Sequence, residues 1–143
     1  MSRIKICGLR RPEDIAAVNE ARPDYCGFIV EYPKSRRSID RTTLRELVRG
    51  LREKIIPVGV FVNAPKELVA ELLEEGTIQI AQLHGQESQE YIQELKVLTE
   101  KPLIQAFSIK SKEDVERARE SVADYILLDQ GSGGTGKVFD WSL

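Results

Sequence analysis

The chain has 143 residues, of which 41% are hydrophobic and 31% charged, and a formal net charge of -2. That length suits one domain with a real core, and the composition excludes a disordered chain. The small net charge gives no reason to expect nucleic acid or an anionic membrane as partner. The apolar run near the N-terminus is too short for a signal peptide, and no stretch approaches a bilayer span.

In chain order, one pattern repeats: a short β-rich apolar run, a polar turn, then a segment of helical period. The runs are Ile4–Cys7, Tyr25–Val30, Ile56–Val62, Ile78–Leu83, Leu103–Phe107 and Tyr125–Leu128, predicting six strands. Helices are expected over about 12–21, 42–53, 65–75, 88–98 and 112–122. Pro12 and Pro65 suit first-turn positions, and Asn63 or Ala64 precedes the third helix. Ser111 with Asp114 reads as a capping box, and Gly76 as the stop of the third helix. Nothing divides the chain, so residues 1–143 read as a single βα domain.

Strands joined by crossover helices run parallel, as an open doubly wound sheet or as part of an eight-stranded βα barrel. A doubly wound fold carries its glycine signature after the first strand, where "KICGLRRPED" has none. Cys7, Glu31, Asn63, His84, Ser108 and Asp129 all fall at or just past the C-terminal end of a run. In a barrel those ends form one rim, which favours a TIM-type α/β barrel. Six strands and five helices do not close eight, so an incomplete barrel is expected. Roughly 50–60 further residues would complete it.

Cysteine and histidine are scarce. Cys7 and Cys26 make no disulfide framework, predict reduced thiols in a cytoplasmic protein, and with the single histidine give no structural zinc set. Cys26 lies mid-strand and is expected only to pack. Cys7 reads first as a small buried hydrophobe, but Lys5 shares its strand face, and a nearby ammonium favours a thiolate. Asp129 opens a glycine-rich loop, where it either caps amides or, after the apolar "YILLD", stays protonated as an acid. Gln82 and His84 share a face, and Gly85 behind them marks a close backbone approach. Lys34, Arg36, Arg37 and Arg41 concentrate in "YPKSRRSIDR", as a solvated surface or a phosphate or carboxylate contact.

Gly131 through Lys137 nearly spells a nucleotide-binding loop. Such a loop needs Ser or Thr after the lysine and a helix at once, whereas "VFDWSL" follows. The nucleotide reading is therefore weak.

Five segments together resemble the phosphoribosylanthranilate isomerase family of tryptophan biosynthesis: "KICGL" at 5–9, "GFIVEYPKSRR" at 27–37, "VGVFVN" at 58–63, "QLHG" at 82–85 and "LLD…GGTGKVFDW" at 127–141. The family commonly reads Ser-Pro-Arg or Ser-Lys-Arg in the second loop, so Arg37 takes the family arginine and Arg36 a variable position. The resemblance implies an Amadori rearrangement of N-(5-phosphoribosyl)anthranilate without cofactor or metal. It implies Asp129 as general acid, Cys7 as general base, and Arg37 on the anthranilate carboxylate or a developing negative charge. Gln82, His84, Gly133 and Gly134 are implied substrate contacts, and the 131–137 loop a cover for the site. The expected partner is a small sugar phosphate, with no nucleic acid or membrane, for a monomer or homodimer. The family binds the phosphate with loops after strands seven and eight, so the 143-residue chain alone is expected to be nearly inactive. Two alternatives are another phosphosugar barrel, which a lysine at the rim would favour, and a non-catalytic fragment that associates through its strand edges.

Overall fold

Parallel strands form one sheet in the computed structural model, which describes residues 5–85 and 87–129. In chain order the elements are β1 (Lys5–Cys7), α1 (Pro12–Ala21), β2 (Tyr25–Val30), β3 (Ser38–Ile39), α2 (Arg41–Arg49), β4 (Ile56–Phe61) and α3 (Lys66–Glu74). They continue with β5 (Ile80–Leu83), α4 (Gln89–Leu98), β6 (Leu103–Ser108), α5 (Lys112–Arg119) and β7 (Tyr125–Asp129). The spatial order is β1-β2-β4-β5-β6-β7, with the two-residue β3 beside β2.

That order decides between the two architectures. A doubly wound sheet reverses direction at a switch point and places helices on both faces. Here each long strand lies beside its predecessor, and helices cover one face only. The core joins Ile15, Val18, Leu44, Leu47, Leu68, Leu72, Ile92 and Leu95 of the helices to Cys26, Phe28, Val30, Phe61, Leu83 and Leu103 of the strands. By register these strand residues share one side: Cys26 opposes Pro57, Phe28 opposes Gly59, and Phe61 opposes Leu83. The result is a half-barrel with helices outside.

The local signals explain most of the elements. Pro12 takes the first turn of α1, where the carboxylate of Asp14 accepts from the amides of Arg10 and Arg11. Asp40 caps α2 by accepting from Thr43 N at 2.7 Å, and Ser88 caps α4 by accepting from Tyr91 N at 3.0 Å. Asp114 accepts from Lys110 N and Ser111 N at the start of α5. Gly76 follows α3 at φ 83, the left-handed conformation glycine tolerates best.

Several sequence expectations need correction. α2 ends at Arg49 and α5 at Arg119, short of 53 and 122. After α5 the Ser121 hydroxyl donates to Gln105 Oε1 at 2.6 Å, drawing the chain inward rather than onward as helix. α3 is capped by neither Asn63 nor Ala64. Pro65 holds the N-cap position with extended backbone, while Asn63 turns left-handed at φ 52. β5 begins at Ile80, because Ile78 N is already donating to Leu72 O. β3 was not foreseen. It forms where Glu31 N donates to Ile39 O and Tyr32 N donates to the Ser38 hydroxyl.

Candidate functional site

A strand sends alternate side chains to opposite faces, so the outer core leaves the other parity facing inward. The register fixes that inner set: Cys7 opposes Gly27, Gly27 opposes Val58, Val60 opposes Gln82, and Gln82 opposes Ile104. Val58, Val60, Ile104 and Ala106 give this face an apolar floor. Around it, Cys7 ends β1, His84 follows β5, Ser108 ends β6 and Asp129 ends β7.

One contact demonstrates the curvature. Lys5 Nζ on β1 donates to Gln82 Oε1 on β5, although β2 and β4 lie between them. Three strand spacings on a flat sheet amount to roughly 14 Å, so the sheet must curl to bring these ends together. Gln82 is buried, and burial pushes the Lys5 ammonium below its ordinary pKa, opposed by the neighbouring thiols of Cys7 and Cys26.

Cys7 is exposed, against the reading of it as a buried hydrophobe. Its thiol leans over Gly27. A Cβ there would stand 2.7 Å from the Cys7 sulfur and 3.1 Å from Lys5 Cε. Gly27→Ala is therefore expected to displace the thiol, which a changed rate of iodoacetamide alkylation at Cys7 would show. An unchanged rate would mean that the seat over Gly27 does not hold the thiol. Cys26 behaves as expected of a packing residue. It is fully buried on the outer face, and burial pushes its thiol up to about 12.

The basic loop separates into distinct uses. Arg41 bridges Glu31 at 3.0 Å and Glu71 at 3.3 Å, so structural ion pairs occupy it. Arg36 lends its backbone carbonyl to Arg10 Nη1 at 3.2 Å. Arg37 lies against the residue after Cys7: Gly8 has φ 87, and a Cβ on it would meet Arg37 Cδ at 2.7 Å. Of the two adjacent arginines, Arg37 is thus the one whose side chain packs beside the Cys7 turn.

His84 is half-buried and donates its backbone amide to Phe61 O at 2.8 Å. The close approach expected at Gly85 is present, since a Cβ there would stand 2.7 Å from Asn63 Oδ1. What holds these turns together escaped the sequence reading. The buried carboxylate of Glu87 accepts from Asn63 N at 2.7 Å and Gly85 N at 2.9 Å, tying the turn after β4 to the turn after β5. Behind it, Gln105 Nε2 donates to Glu87 O, and Gln105 Oε1 accepts from Gln89 and Ser121. In sequence Glu87 was one acid among 23 Asp and Glu residues, with only the adjacent "HG" as a signal.

The backbone of Asp129 ends β7 opposite Ser108; its side chain lies outside the described part. Gly133, Gly134 and the rest of the 131–137 loop lie outside the described residues as well. Among the described residues no group of three or more His, Cys, Asp or Glu converges as a metal site, and no helix is long and apolar enough to cross a membrane. Lys5 does not revive a lysine-based barrel chemistry, because it sits two residues below the rim and donates to Gln82.

A parallel half-barrel with helices outside and polar residues at the C-terminal ends of its strands is the architecture of TIM-type βα-barrel enzymes. A sequence model of the family described as N-(5'phosphoribosyl)anthranilate (PRA) isomerase matches residues 4–143. An N-(5'-phosphoribosyl)anthranilate isomerase of Acetivibrio thermocellus is 44% identical, over 100% of this chain and 69% of the relative. One from Caldanaerobacter subterraneus subsp. tengcongensis is 42% identical, over 100% of this chain and 70% of the relative. The crystal structure of phosphoribosyl anthranilate isomerase from Thermotoga maritima superposes with a TM-score of 0.80 at 37% identity, covering 100% of this chain and 70% of that one. A phosphoribosyl anthranilate isomerase in complex with reduced 1-(o-carboxyphenylamino)-1-deoxyribulose 5-phosphate superposes with a TM-score of 0.78 at 35% identity, covering 90% and 65%. The chain belongs to the N-(5'-phosphoribosyl)anthranilate isomerase family, enzymes of tryptophan biosynthesis.

Proposed function

We propose that Cys7 and Asp129 are the base and the acid of the family's Amadori rearrangement, acting on N-(5-phosphoribosyl)anthranilate held over the inner face. The observation that carries this reading is the exposed Cys7 thiol at the inner end of β1, with Arg37 packed on the next residue. Protonated Asp129 gives its proton to the furanose ring oxygen as the C1–O bond breaks. The anthranilate nitrogen supplies the electron pair that forms the Schiff base. The Cys7 thiolate then takes the C2 proton and becomes a thiol, and the C2–H electrons move into C1=C2 to give an enolamine. Protonation at C1 and loss of the C2 hydroxyl proton complete the aminoketone, 1-(2-carboxyphenylamino)-1-deoxyribulose 5-phosphate. No atoms enter or leave, which suits general acid–base catalysis.

Arg37 would pair its guanidinium with the anthranilate carboxylate, a planar match that lysine does not offer. His84 would face the substrate from the β5 end, Gln82 supports the floor through Lys5, and Gly133 and Gly134 would contact the substrate, as the family resemblance implies. A cytoplasmic location and a monomer or homodimer complete the proposal, the latter in keeping with a solved structure described as monomers of a dimeric phosphoribosylanthranilate isomerase from Thermotoga maritima. The test is conversion of N-(5-phosphoribosyl)anthranilate, followed by its fluorescence change. It is run on the 143-residue chain and on any longer product the coding sequence specifies. Turnover by such a product supports the reading, and none from any of them overturns it. The difference between products measures what a phosphate anchor beyond β7 contributes.

A further inference from the structure

Lys5 is a half-buried cation on the inner face, and the acid–base scheme leaves it unused. We propose that Lys5 is a positioning residue for Cys7: its ammonium, anchored by Gln82, favours the thiolate that accepts the C2 proton. The inference rests on the reading of Cys7 as the base.

Three observations converge on it. Lys5 and Cys7 are two residues apart on one strand, so they share a face. The Cys7 sulfur and Lys5 Cε both crowd the space that Gly27 leaves empty, 2.7 and 3.1 Å from the same point. The lysine head is not left to wander, because Nζ donates to the buried Gln82 across the curled sheet. An ammonium in such partly desolvated surroundings acts on a neighbouring charge more strongly than one in open water. Burial pushes Lys5 down, and the neighbouring Cys7 and Cys26 oppose that shift.

Other charged or titratable groups facing this pair are few. β2 contributes Tyr25, and Glu31 just past its end, which Arg41 engages. β4 contributes only Ile56, Val58 and Val60. His84 follows β5, Arg37 lies over Gly8, Cys26 faces outward from β2, and Asp129 shares the β7 end by register. Among the strand residues of this described face, Lys5 is the only cation.

The test is the pH dependence of iodoacetamide alkylation, located at Cys7 by mass spectrometry. Buried Cys26, its thiol pushed up to about 12, stays silent in the folded protein. Removing a cation disfavours the thiolate, so Lys5→Met should move the alkylation midpoint up by about one pH unit and slow alkylation at pH 7 about tenfold. Lys5→Arg should keep most of the wild-type profile. An unchanged profile in Lys5→Met overturns the proposal. Should Lys5→Met lose the native far-UV spectrum, Gln82→Leu is read instead, because it removes the anchor and keeps the charge. An upward midpoint there supports the proposal and an unchanged one overturns it. Alkylation reads the thiol without turnover, so a fully active Cys7→Ser variant would end the base assignment while leaving this result intact.

Discussion

Cys7→Ser is expected to lower kcat by about 10²–10⁴-fold, the usual worth of a positioned general base. A serine hydroxyl has almost the same shape as the thiol but does not ionise near neutral pH, so it fills the seat over Gly27 without accepting the C2 proton. Cys7 is exposed, and exposed substitutions of this kind change stability by less than about 0.5 kcal/mol. The loss should therefore appear in turnover and leave the thermal midpoint nearly unchanged. Asp129→Asn should act on the other half of the reaction, because an amide has no proton to lend the ring oxygen. Kinetics on both variants beside their melting curves make the check. Near-wild-type turnover in either would remove that residue from its role, and lost activity with lost fold would show a structural defect instead.

The second large effect is on stability. Glu87 is buried, and its carboxylate accepts from Asn63 N at 2.7 Å and Gly85 N at 2.9 Å. Glu87→Ala removes both acceptors from the amides of exposed Asn63 and half-buried Gly85, and a hydrogen bond to a charged group is worth about 1.5–3 kcal/mol. A total loss of about 2–5 kcal/mol is expected. It should appear as a lower urea midpoint with an unchanged slope. Glu87→Gln keeps one acceptor oxygen and should lose about half as much. The Alanine variant should also raise KM, since the same two turns flank His84. A midpoint within error of wild type would mean that the turns after β4 and β5 hold each other without the carboxylate.

Cys7 and Glu87 also mark how legible the site was. Cys7, Asp129 and His84 were visible as candidates because they sit where an apolar run meets a turn, and such junctions line one rim in any parallel βα fold, whereas Arg37 stood out in a basic run and as the family arginine. Glu87 was not visible. Its importance comes from two amide groups, one of them 24 residues away, and nothing local to "HGQES" announces that partner. Gln105 is a similar case. It sits within an apolar run and would read as an outlier, yet it joins the Glu87 carbonyl to Gln89 and Ser121. The helix ends after 49 and 119 were missed for a related reason. Helical period continues in the sequence, and a long-range bond such as Ser121 to Gln105 ends it.

The sequence by itself determined the repeated βα units, the parallel sheet, the chain ends of the strands that carry polar residues, and the family. These rest on period, turn chemistry and short motifs, all of which act within a few residues. Only the tertiary structure decided that strand order follows chain order, so that the sheet curls one way and helices cover one face. It also decided that Lys5 reaches Gln82 and that Arg37 rather than Arg36 lies beside the Cys7 turn. Such facts depend on distances between residues far apart in the chain. Those distances exist only once the sheet has curved and packed.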